Sequence, residues 1–168
     1  LEALRTVLSL ASTRLPGDHD KYGTADGEEN MQINMIDLSR AYFNAHVEQD
    51  DPVFVQLPEE HEGHTKGLVG RLLRHMYGTR KAADGWQPEY SSTLVALGFT
   101  QGTASPCLIW HRQRRLICVV HGDDFTLAGP KLHLDWFEKQ LESKYELSKG
   151  GRFGPGKSDF KEGRVLNI

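Results

Sequence analysis

A chain of 168 residues can bury one sizeable core. Its 38% hydrophobic and 26% charged content is that of a globular protein, and no apolar run approaches the ~20 residues that a membrane-spanning helix needs. A net charge of −3 gives no global nucleic-acid footprint, although catalytic carboxylates would enter that sum.

Leu1, Leu4, Leu8 and Ala11 recur at helical spacing and predict an amphipathic helix over residues 1–13, closed by Pro16-Gly17. Residues 16–30 carry Gly, Asp and Glu with almost nothing apolar and read as an exposed loop. Met31, Ile33 and Met35 then alternate with Gln32 and Asn34, the pattern of a half-buried strand running on through Ile36-Asp37-Leu38. By that alternation Asp37 falls in the apolar row, where an acid needs a partner. A turn with a short helix follows over 39–44, then a short strand at Val53-Phe54-Val55. Leu68, Val69, Leu72 and Leu73 form another short apolar element, and Gly78 to Lys81 is a basic turn.

Trp86, Tyr90, Leu94 and Leu97 share a helical face that Gly98 is placed to end. Asp84 and Gln87 suit its start, and Pro88 fits only near the first turn. Cys107 to Trp110 and Leu116 to Val120 predict paired strands across the basic turn 111–115. Leu134, Phe137, Leu141 and Tyr145 line a last helix, with Asp135 and Lys139 as an exposed i,i+4 pair. Cys107 and Cys118 sit in apolar strands and read as reduced core residues of an intracellular protein, cytoplasmic or nuclear. His61 and His64 lack a nearby third ligand for zinc.

The chemistry concentrates in Leu116 to Gly129. Two apolar runs flank His121-Gly122-Asp123-Asp124, which predicts a β-hairpin with carboxylates at its tip. Adjacent carboxylates repel, and hard divalent cations relieve that repulsion through oxygen ligands. Gly and Asp are also ordinary turn residues, so a plain polar turn stands beside the metal platform as a reading of this stretch. Gly151, Gly156, Lys157 and Ser158 match the spacing of a phosphate-binding P-loop. That loop needs a strand before it and a helix after it. Here a helix is expected before it and a poor helix follows, so phosphate binding is not expected there.

Five motifs in order resemble the reverse transcriptase domain of copia-type LTR retrotransposon Pol polyproteins. Ile36-Asp37-Leu38-Ser39-Arg40-Ala41-Tyr42-Phe43-Asn44 is similar to the family's strand with a catalytic Asp and an aromatic-Asn turn. Val53 to Pro58 resembles its Gln-x-Pro strand, and Met76 to Ala83 followed by Trp86 resembles its Leu-Tyr-Gly-Leu-Lys-Gln-Ala-Pro block. Gly98-Phe99 with Ser105-Pro106-Cys107 matches the next block, and His121-Gly122-Asp123-Asp124 stands where the family has Tyr-Val-Asp-Asp. Lys81 and Ala83 stand where it has Gln and Pro.

The resemblance implies an α+β fold, a polymerase palm-like antiparallel sheet with helices packed on one face, over 1–147, and a Gly- and Lys-rich tail over 148–168. It implies RNA-directed DNA polymerase activity, transferring a dNTP to a primer 3′-hydroxyl on an RNA or DNA template with Mg²⁺ or Mn²⁺. Two metals about 3.5–4 Å apart would stabilise the attacking and leaving oxygens. Asp37, Asp123 and Asp124 would be the catalytic and metal-binding residues, with Asp124 secondary because strand alternation points it away. Tyr42 would screen the sugar of the incoming nucleotide, and Arg80 and Lys81 would hold its triphosphate. The remainder of the Pol polyprotein would be the partner, since the family's fingers segment, thumb, RNase H and integrase are not recognisable in these residues. The piece alone is expected to fold but to extend a primer poorly. A catalytically inactive nucleic-acid-binding remnant and an unrelated metal-dependent phosphotransferase are the alternatives.

Overall fold

The computed structural model describes residues 2–13 and 31–163. The loop read over 16–30 lies outside them. Residues 40–93 form one compact unit, and residues 1–39 with 94–168 form another. Each is described by itself.

The second unit is built on a six-stranded antiparallel sheet. Its strands are β1 (Met31–Leu38), β4 (Thr100–Gln101), β5 (Leu108–His111), β6 (Leu116–His121), β7 (Asp124–Pro130) and β8 (Leu147–Phe153), in the order β4-β5-β6-β7-β1-β8. Helix α1 spans Glu2–Ser12 and α3 spans Lys131–Glu142. The helix expected over 1–13 therefore forms, burying Leu4 and Val7 against Val119 and Ala128. Leu134, Phe137 and Leu141 bury the inner face of α3, as their spacing requires.

The two helices cover opposite faces of the sheet, which corrects the expectation of helices on one face. On β1, Ile33 shares a cavity wall with Ala11 of α1, while its neighbour Asn34 donates to Glu138 Oε1 of α3 at 2.6 Å. Successive strand residues point to opposite faces. The reason lies in β7, where Phe125 through Pro130 are all buried. A strand apolar on both rows must be covered on both sides.

A second correction follows from the same geometry. In β1 the polar residues Gln32 and Asn34 are buried, and Met31, Ile33 and Met35 are only half-buried. Asn34 tolerates burial by donating to Glu138, and the Gln32 amide nitrogen donates to Asp159 at 2.8 Å.

Residues 147–153, which open the segment read as a Gly- and Lys-rich tail, are the edge strand β8, paired with β1. Arg152 clips this edge to α3 through Asp135 and through Glu138, the latter at 2.8 Å. Asp135 thus turns to Arg152 rather than to Lys139. Lys149 adds bonds to Glu138 and Glu142 at 3.2 and 2.8 Å. Burial acts to raise the pKa of Glu138, but the hydrogen bonds from Asn34 and Lys149 and the nearby charges of Arg152 and Lys149 outweigh it and hold the acid below its ordinary range.

A strand, β8, leads into the 151–158 P-loop spacing, in place of the expected helix. The Gly156 amide donates to the Asp159 carboxylate at 2.9 Å, and turns rather than a helix follow within the described residues. That amide is occupied by the chain's own anion, so the motif is not assembled as a phosphate cradle.

In the 40–93 unit, Ala41–Asn44 form a 3-10 turn and β2 (Phe54–Gln56) pairs with β3 (Val69–Arg71). Helix α2 spans Ala82–Ala96, and Trp86, Tyr90 and Leu94 are buried, as their spacing predicts. Gly98 ends it at φ 93°, its amide bonded to the Val95 carbonyl at 2.9 Å. The helix starts before Asp84, which lies in the first turn and not at the cap, and Pro88 lies inside the helix. Two helix-favouring alanines, Ala82 and Ala83, extend the start upstream.

The α2 residue Gly85 is required by packing. A Cβ there would lie 2.1 Å from Nε2 of His75, whose ring is 4% exposed. Gly85→Ala should destabilise the protein by up to a net ~2 kcal/mol, since overpacking costs ~1–3 and helix propensity returns ~1. Chemical denaturation measures this, and a stabilised variant would contradict it.

Candidate active site

The hairpin predicted at 121–124 forms as a two-residue loop. His121 and Asp124 are its flanking pair, and Gly122 takes φ 63° at the first loop position. A type II′ turn needs positive φ there, which explains a glycine before the acids. The second loop residue is Asp123, whose carbonyl accepts from the Leu38 amide at 3.0 Å. The loop is thereby tied to the end of β1, beside Asp37.

Register then decides which carboxylates meet. Asp37 on β1 lies directly opposite Asp124 on β7, and Asp124 lies directly opposite His121 on β6. Directly opposed residues share a face with Cβ atoms ~4.5–5.5 Å apart. His121, Asp124 and Asp37 thus form one row across three adjacent strands, all solvent-exposed. The structure sets Asp124 on the face of Asp37, while Asp123 occupies the loop next to both. The signal that Asp124 belongs to this row is the hairpin register, and a sequence yields it only once the loop length is known.

Asp37 and Asp124 each feel neighbouring acids. Partial burial of its carboxylate, then the charge of Asp123, raises the pKa of Asp37. Burial, then Asp123 and Asp37, raises that of Asp124, with His121 opposing. A concentration of mutually repelling oxygens is what a hard cation would relieve. Among the described residues, no three His, Cys, Asp or Glu side chains converge into a ready-made metal cage. Mg²⁺ does not require one, because it keeps several waters and binds through one or two carboxylates plus substrate phosphates. On the chemistry of the donor set, Asp37, Asp123 and Asp124 fit such an ion.

The other expected residues lie in the 40–93 unit. Tyr42 sits in the 3-10 turn, its ring 4.5 Å from that of Tyr77 and edge-on to it. The residue before that turn, Arg40, is left-handed at φ 56°. Lys81 is ion-paired with Asp51, both exposed, and Arg80 is exposed. An exposed ion pair contributes little and can be exchanged for a stronger anion. Tyr77, within the basic block, is a partner of Tyr42 that sequence spacing did not reveal.

A model of the family described as reverse transcriptase (RNA-dependent DNA polymerase) matches residues 24–155. Over 133 residues the chain is 20% identical to the retrovirus-related Pol polyprotein from transposon TNT 1-94 of Nicotiana tabacum. That alignment covers 77% of this chain and 9% of the tobacco protein, so the chain spans about a tenth of that relative's length.

Proposed function

The chain belongs to the reverse transcriptase (RNA-dependent DNA polymerase) family, and from that premise we propose that its sheet is a polymerase palm whose carboxylate end transfers nucleotides to a primer. The observation that carries the reading is the placement of Asp37 opposite Asp124, with Asp123 in the adjoining loop. Asp37 and Asp124 come from two neighbouring strands and Asp123 from the loop beside them, all at one end of the sheet. Bound there, divalent cations supply charge neutralisation of the attacking 3′-oxygen and of the leaving pyrophosphate.

The chain's own contribution is positioning. Asp37, Asp123 and Asp124 would hold the cations, with the two-residue loop setting Asp123 beside Asp124. The 3′-hydroxyl oxygen bonds to the α-phosphorus, the bond to the pyrophosphate oxygen breaks with that oxygen keeping the electron pair, and the hydroxyl proton passes to solvent water. No covalent enzyme intermediate is needed. Arg80 and Lys81 hold the triphosphate oxygens, with Lys81 exchanging Asp51 for the substrate. The template, primer, dNTP and remainder of the Pol polyprotein are the partners in this reading.

Primer extension on an RNA template, with Mg²⁺ and with Mn²⁺, tests the proposal. We expect only trace synthesis from these residues alone, because a metal site without a gripped duplex forfeits much of the ~7–11 kcal/mol that orientation can supply. Joined to the remainder of its polyprotein, the chain should synthesise DNA, and Asp123→Asn should abolish that synthesis. Synthesis that survives Asp123→Asn, or none from the joined chain, refutes the assignment.

Tyr42 is the sugar gate in this scheme, its ring braced by Tyr77. Tyr42→Ala should raise ribonucleotide incorporation relative to deoxyribonucleotide by roughly tenfold or more, the scale of steric discrimination in a pocket. Competition assays with paired nucleotides measure it, and an unchanged ratio removes Tyr42 from the role.

A further inference from the structure

Between Glu89 and Asp123 the chain carries no Asp or Glu, although the protein has 23 of them. That acid-free run holds Arg112, Arg114 and Arg115, which form the loop joining β5 to β6. Arg112 and Arg115 are exposed, as is Lys131 in the first turn of α3.

The loop is a shaped feature. Arg115 is held left-handed at φ 54°. The Arg114 guanidinium stacks 3.6 Å from the centre of the Trp136 ring. His133 donates from Nδ1 to the Arg114 carbonyl at 2.5 Å, tying the loop to α3. Asp135, the first acid of α3, is turned to Arg152. Four cationic side chains therefore gather at one end of a net-negative protein, around a loop fixed by stacking and hydrogen bonds.

We propose that this basic loop, with Lys131, binds the phosphate backbone of a nucleic-acid duplex. Phosphates are recognised by spaced cations, and a stacked guanidinium is preorganised for them. The loop and Asp123 lie at opposite ends of β6, whose six residues separate them by ~20 Å at ~3.3 Å each. That span equals about six base pairs at ~3.4 Å per step. A duplex held at the loop is therefore a contact separate from the carboxylate end. An anionic membrane is the poorer fit, because Leu134, Phe137 and Leu141 of α3 are buried in the core and Leu132 is the one apolar side chain of that helix that is largely exposed, too little to anchor in lipid. The inference shares the polyanionic partner with the polymerase reading but not its chemistry.

The test is fluorescence anisotropy of a short RNA–DNA hybrid across a salt series, without divalent cations, on the full chain. Arg112→Gln with Arg115→Gln should weaken binding and flatten the slope of log K against log salt by about two units, one per lost phosphate contact. Arg112→Lys with Arg115→Lys should restore most of the slope. Thermal melts check that both doubly substituted chains stay folded. An unchanged slope in the glutamine variant, or tighter binding to phosphatidylserine vesicles than to the duplex, overturns the proposal. The binding is read without divalent cations and the synthesis only with them, so failure of the catalytic reading and failure of this one are told apart.

Discussion

Mn²⁺ should raise the melting temperature of the wild-type chain by roughly 5–10 °C at a hundredfold excess over its dissociation constant, and should leave Asp37→Asn almost unmoved. A ligand bound only by the folded state contributes ~2.7 kcal/mol at that excess, and each kcal/mol moves the midpoint of a chain this size by ~2–4 °C. The sign of the pH dependence separates the metal from the bare acids. Asp37 and Asp124 have pKa values raised above the ordinary 3.8 in the folded state. Without metal, the folded chain holds those protons more tightly than the unfolded chain. The stability they contribute is present below 3.8 and is lost as pH rises through the raised values. With metal the trend reverses, because only ionised carboxylates ligate and affinity rises with pH. Differential scanning fluorimetry with and without Mn²⁺ across pH 4 to 8 reads both trends. Equal Mn²⁺ shifts in wild type and Asp37→Asn would remove the carboxylate row from metal binding.

Phe137→Ala should lower the melting temperature by roughly 6–20 °C. The ring is fully buried on the α3 face of the sheet, 5.3 Å from that of Phe99 and edge-on to it. Truncating a buried phenylalanine costs ~3–5 kcal/mol, the lost transfer energy plus the cavity left behind. Neighbouring rings and strands on that face restrict collapse into the void. Urea denaturation gives the free energy directly, and a cost below ~1 kcal/mol would mean that the site closes around the missing ring.

The sequence by itself determined most of the elements and the family. Period-2 and helical spacings identified β1, α1, α3 and the apolar face of α2. The flanked Gly-Asp-Asp gave the hairpin, since a positive-φ loop position and two apolar arms leave few other conformations. Five ordered motifs gave the family. Tertiary structure decided the pairings. The six-strand order made β8 an edge strand and drew Asp135 away from Lys139 to Arg152, a choice between two cations that helix spacing alone could not make. Opposite-face helices reversed which row of β1 is buried, because Asn34 and Gln32 found partners distant in sequence. Register, which depends on loop length, set Asp124 opposite Asp37 and extended the row to His121. These are all long-range contacts, and local spacing carries no information about them until the strands are laid side by side.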